Sequence, residues 1–125
     1  KLVVKFCPDS MSSSLERSRD KELDYMKIRE QGWPSNECAK WYWEGAQKTL
    51  ADCAQAAIKR GLVAFAYGAS EMAQQGCFSE GISLTVTEWD TWMLDRQNPD
   101  PCADSGGMLY NPLFDTFVWN PNKLL

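Results

Sequence analysis

Thr49-Leu50-Ala51-Asp52-Cys53-Ala54-Gln55-Ala56-Ala57-Ile58-Lys59-Arg60-Gly61-Leu62-Val63-Ala64-Phe65-Ala66-Tyr67-Gly68 is the stretch that decides the fold. Thr49 supplies a capping hydroxyl and Asp52 an acid in the first turn, where the unpaired N–H groups of a helix favour negative charge. Leu50, Cys53, Ala54, Ala57 and Ile58 recur at helical spacing, and Gly61 is placed to end the helix. Residues 62–67 then form an apolar run of strand length, stopped by Gly68.

Upstream of that core, Trp41-Tyr42-Trp43 reads as a strand before Glu44-Gly45. Downstream, a polar loop over residues 69–76 leads into Cys77-Phe78, so the order is strand, helix, strand, loop, strand. Residues 82–86 read as a further strand feeding a short helix capped by Thr87, with Trp89, Trp92 and Met93 on or near one face. Asn98-Pro99-Asp100-Pro101-Cys102 must be irregular, because proline neither donates to a ladder nor continues a helix.

The flanks differ from this centre. Residues 1–33 read as an N-terminal arm: an apolar start at residues 2–6, a break at Cys7-Pro8, and a charged helix through Arg29 opened by the capping-box spacing of Ser13 and Glu16. Its apolar stripe, Leu15, Leu23, Met26 and Ile28, is thin, so the helix needs other contacts to hold. Residues 105–125 form an aromatic tail, charged only at Asp115 and Lys123. Disordered tails are poor in aromatics, so this one is expected to pack, either on its own domain as a closing strand or on a partner. The stapled domain itself spans residues 34–104.

The 125 residues suit one hydrophobic core, and a net charge of −4 argues against a nucleic-acid partner. No apolar run approaches the ~20 residues of a membrane-spanning helix. The chain opens on Lys1 rather than Met, as expected where a targeting segment has been removed. Five cysteines (Cys7, Cys38, Cys53, Cys77, Cys102) lie far apart, with no C-x-x-C pair and no histidine, so zinc and redox spacings are absent. Disulfides in an oxidising compartment are the expected use, the rival being buried thiols; an odd count leaves one cysteine free or joined to another chain.

Trp43-Glu44-Gly45, Thr49 to Ala54, Val63-Ala64-Phe65-Ala66-Tyr67-Gly68 and Gly76-Cys77-Phe78, in that order, resemble the PAN/apple domain over residues 38–102. The resemblance implies an α+β fold, a small antiparallel sheet with one main helix packed on it, disulfide-stapled, carrying here an N-terminal helical arm and an extended C-terminal tail. It also implies that Cys53 pairs with Cys77 and Cys38 with Cys102, leaving Cys7 over. Each bridge would stabilise by about 3–4 kcal/mol in the chain-entropy model. A third bridge of such domains would fall at Ala57 and Leu62; both are apolar, so packing is expected to replace it.

Nothing in the sequence assembles into an active site. Without histidine there is no Ser-His or Cys-His pair. Glu88, Asp90, Asp95, Asp100 and Asp104 read as caps and solvated turns rather than as acid–base or calcium groups. No cofactor and no metal are expected, and the protein is expected not to be an enzyme. Six tryptophans remain as candidates for contact. Trp43 and Trp89 are expected in the core, while Trp33, Tyr110, Leu113, Phe114, Phe117 and Trp119 are the expected partner-binding residues. No Asn-x-Ser/Thr site is present, which disfavours a conventional glycosylated surface protein.

The expected function is a non-catalytic protein-binding module, an accessory subunit held on a larger membrane-associated assembly by its arm and tail, with the lumenal face of an organellar, photosynthetic complex as the setting. The alternative is an extracellular adhesin or lectin-like module that binds glycan or protein.

Overall fold

A computed structural model describes residues 24–95 and 100–123, with the side chains of residues 93–95 also left undescribed. The expected strand at residues 2–6, the helix start at Ser13 and Glu16, and Cys7 lie outside the described residues. A five-stranded antiparallel sheet is built from β1 (Tyr25–Arg29), β3 (Trp41–Ala46), β4 (Ala64–Tyr67), β5 (Gly76–Glu80) and β7 (Asp115–Trp119), in the order β1-β7-β4-β5-β3. Two short strands, β2 (Gly32–Pro34) and β6 (Met108–Tyr110), pair separately.

Helix α1 (Leu50–Arg60) forms as its sequence dictates. Thr49 Oγ1 accepts the Asp52 N–H at 3.1 Å, and Gly61 ends the helix at φ 87. The Leu62 N–H closes the cap on the Ala57 carbonyl at 3.0 Å. Leu62 and Ala57 therefore adjoin through the cap rather than across a strand–helix contact, and Leu62 is half-buried where Ala57 is fully buried. The helix sets Cys53, Ala54 and Ala57 against Phe65, Tyr67, Cys77, Phe117 and Trp119. Tyr25 meets Phe65 and Trp119 edge-on there, with ring centres 5.6 Å apart in each pair.

Period-2 alternation gives the other sheet face Ile28, Ala64, Val118 and Glu80. A second layer covers it, with Ala39, Ile82, Trp89 and Cys102 in the shared cluster. Trp89 comes from helix α2 (Val86–Asp95). Its cap is Thr85 rather than the expected Thr87: Thr85 Oγ1 accepts the Glu88 N–H at 3.1 Å and Glu88 Oε1 accepts the Thr85 N–H at 2.9 Å, a capping box. Residues 82–85 form no strand, because after Gly81 the Ile82 N–H turns back onto the Glu80 carbonyl and leaves the ladder.

The described parts of both flanks belong to the domain. Over Tyr25–Arg29 the expected helix is replaced by a strand: β1 pairs with β7, placing Met26 opposite Val118 and Tyr25 opposite Trp119. The last segment is not an appended tail, since β7 lies between β1 and β4 and hydrogen-bonds to both. Phe117, Val118 and Trp119 are buried, and Trp119 Nε1 donates to the Ala54 carbonyl at 2.8 Å. The closing-strand alternative describes this segment, with β7 an inner strand of the sheet.

Two outcomes follow from this packing. Deleting residues 111–125 should abolish the native far-UV circular dichroism, because β1 and β4 would lose the strand that joins them and the sheet would be split; a truncated chain that still melts cooperatively would overturn the central place of β7. Thr85→Ala should lower stability by about 1 kcal/mol, the usual worth of a cap, in denaturant titration.

Candidate binding surface

Two disulfides fix the framework. Cys38 bonds Cys102 across 64 residues, and Cys53 bonds Cys77 across 24. Cys53 and Cys77 are wholly buried between α1 and the sheet. The other bridge ties the turn over residues 35–40 to the loop that carries Cys102, and Cys38 is only half-buried.

Beyond that second bridge the sheet presents an aromatic wall. Alternation on β3 puts Trp41 and Trp43 on the face that α1 does not cover, and Phe78 lies opposite Trp43 on β5. The Trp33 ring, from β2, stands 4.2 Å from Trp41 and stacks on Phe114 at 4.9 Å. Phe78 takes the edge of Trp33 at 5.5 Å and meets Trp43 at 5.0 Å. Trp41 is further held by its Nε1, which donates to the Pro34 carbonyl at 3.0 Å. These contacts make one continuous cluster of five rings.

Exposure along the wall is graded. Phe114 is buried, Trp33, Trp41 and Phe78 are half-buried, and Trp43 is 56% exposed. Gly76 lies under that last ring: a Cβ there would come within 3.0 Å of Trp43 Cζ3, so the indole rests on bare backbone. Leu109, opposite Trp33 in the small sheet, is exposed on the same side, and Met72 is exposed on the turn leading to Gly76.

The reverse side of β3 is polar and internally paired. Glu44 accepts hydrogen bonds from Arg60 and from Ser79 Oγ, and the Arg60 guanidinium lies 4.6 Å from the centre of the Tyr42 ring. Burial alone would raise the Glu44 carboxyl, but those hydrogen bonds outweigh it and hold the group below its ordinary range. A shallow groove of about 310 Å³ between residues 61–63 and 81–84 carries no titratable side chain. Glu88 is used in the α2 cap, and Asp100 Oδ1 accepts the Cys102 N–H at 2.9 Å, a turn role. Among the described residues no three acidic, cysteine or histidine groups are placed to hold a metal.

The expected partner-binding residues are divided by this geometry. Tyr110 is exposed and Leu113 half-buried, but Phe114, Phe117 and Trp119 lie inside the domain and present no docking surface. Trp33 belongs to the wall. Trp43, expected in the core, is instead its most exposed ring. The strand alternation Trp41-Tyr42-Trp43 was a signal for one shared face, whereas which face stays uncovered depends on residues 32–34 and 108–110, distant in sequence.

Comparison with protein-family models, with curated proteins and with solved structures found no match.

The unequal burial of the bridges predicts their order of reduction. Under limiting reductant Cys38–Cys102 should open first, because attack needs access to a sulfur. Differential alkylation and peptide mass mapping would show label on Cys38 and Cys102 before Cys53 and Cys77; simultaneous labelling would mean that opening the first bridge unfolds the whole domain.

Proposed function

We propose that the protein is a non-catalytic protein-binding module, an accessory subunit that docks on a larger assembly through the aromatic wall centred on Trp43. The observation that supports this most is the exposure of that indole at the end of four rings already packed together. A hot spot needs a large side chain held rigid before binding, so that little conformational entropy is lost on contact. Phe78 and Gly76 hold Trp43 in that way. The resemblance to PAN/apple domains favours the same class of role.

The two bridges are consistent with an oxidising compartment. An organellar lumen with a photosynthetic membrane complex as the partner is our reading of the setting. The lectin-like alternative rests on the same indole, which is also a stacking platform for a pyranose ring, with Gln74 and Gln75 exposed on the neighbouring turn.

Trp43→Ala decides between these and a merely structural role. Co-purification with a native complex should fall at least roughly thirtyfold in affinity, the ~2 kcal/mol of a true hot spot, while thermal melting stays close to wild type. Undiminished retention would overturn the proposed surface, and binding to a defined glycan array that Trp43→Ala abolishes would establish the lectin reading instead.

A further inference from the structure

Glu80 ends β5 with its side chain completely buried, and neither carboxyl oxygen has a hydrogen-bond partner among the described residues. Glutamate is almost never fully buried unpaired, since an isolated carboxylate taken from water is costly enough that the group holds its proton instead. Its cross-strand neighbours on the two sides are Trp41 and Ala64, and Phe78 precedes it on the same face of β5. All are apolar.

The charged groups of the surrounding elements do not compensate it. On this face β3 offers Trp41 and Trp43, β4 offers Ala64 and Ala66, and β7 offers Thr116 and Val118, none of them charged. From β1 comes Arg29, opposite Thr116 beyond a bulge. The order β1-β7-β4-β5 puts it three strand spacings from Glu80, roughly 14 Å. Glu37 and Lys40 on the covering turn are exposed, Glu88 is engaged in the α2 cap, and Asp90, half-buried on α2, could only repel. Burial by itself pushes the carboxyl well above its ordinary range.

What covers this face is attached by a bridge, a few hydrogen bonds and a small apolar cluster. The turn over residues 35–40 is tied to the loop before β6 by the Cys38–Cys102 bridge, by the Ser35 N–H, which donates to the Gly107 carbonyl at 3.0 Å, and by Ser35 Oγ, which donates to the Ser105 carbonyl at 2.8 Å; to the sheet it is joined by the Gly81 N–H, which donates to the Lys40 carbonyl at 3.1 Å. Helix α2 enters the cluster through Trp89, whose Nε1 is likewise buried without a partner among the described residues. Two buried polar groups without a hydrogen-bond partner among the described residues, one on the sheet and one on α2, thus lie on the two sides of this contact.

We propose that Glu80 is a proton-operated latch for the layer made by residues 35–40 and α2. Protonated, it lets the layer close over the sheet; deprotonated, it favours an opened state in which water reaches the carboxylate, while the Cys38–Cys102 bridge keeps the layer tethered. The sign follows from linkage. The closed form binds the proton more tightly than the open form, so closure is complete below the ordinary carboxyl range and weakens as pH rises above it. One linked proton changes the opening constant by at most roughly tenfold per pH unit.

Hydrogen exchange of the oxidised protein, corrected for intrinsic rates and read by mass spectrometry between about pH 5 and pH 9, tests this against Glu80→Gln. In the wild type, protection over residues 35–40 and 82–95 should fall with rising pH while α1 stays protected; in Glu80→Gln the fall should vanish. Equal pH slopes in the two proteins, or loss spread evenly over α1 and β4, would overturn the latch. If Glu80→Gln does not fold, carboxyl NMR of the wild type replaces it: a Glu80 resonance titrating in the ordinary carboxylate range overturns the proposal, and a raised midpoint shared with the Trp89 indole signal supports it.

Discussion

The pairing of β7 with both β1 and β4 is the constraint on which the rest of this structure depends. It joins residues near the two ends of the described chain to a centre that was already a strand–helix–strand unit. Ala64 and Tyr67 on one side, and Tyr25 and Lys27 on the other, meet a single strand of five residues. Such a contact forms only after a long loop closes, so it cannot be seeded locally. Once formed, it places Phe117 and Trp119 under α1 and Val118 under the second layer, and both hydrophobic clusters are completed by one strand.

The two faces of the sheet are then closed by different means. Under α1 the packing is dense, with Cys53–Cys77 wholly inside it and the Trp119 indole satisfied by a helix carbonyl. On the opposite face, among the described residues, no long helix lies across the strands. A turn, a short helix and a small two-stranded sheet share the work, and Cys38–Cys102 binds the turn to the loop before β6. A bridge matters more where few apolar contacts can restrain the chain. The same economy of cover leaves Trp43 in solvent and Glu80 in apolar surroundings without a hydrogen-bond partner among the described residues.

What the sequence made legible was what short-range chemistry decides. Thr49, Asp52 and Gly61 announce α1 within one segment, and the apolar run at residues 64–67 admits no other use. Over Tyr25–Arg29 the spacing of Met26 and Ile28 fits a thin helical stripe as well as a strand, and only the distant β7 chooses between them. The cap falls at Thr85 rather than at the expected Thr87, and the glutamate three residues after Thr85 is the signal in the sequence. The aromatic residues were harder. Trp119 and Trp43 have similar surroundings in sequence, yet one becomes central through strand pairing and the other lies on an edge strand where covering elements run out. Glu80 carried no signal at all, since an acid at the end of a strand normally faces water.

Edge strands invite unwanted pairing, and here both edges are interrupted. In β1 two residues beyond Lys27 span one residue of β7, and in β3 three residues from Trp43 to Ala46 span two of β5, with Gly45 at φ 86. Bulges of this kind bend the strand and increase its twist, so a second chain cannot extend the ladder in register. The defence acts on the backbone edge alone. It leaves the side chains on the sheet face free, and at β3 those side chains are Trp41 and Trp43. The edge thus resists ladder pairing through its backbone while its indole rings stay packed on the sheet face, Trp41 against Trp33 and Trp43 against Phe78.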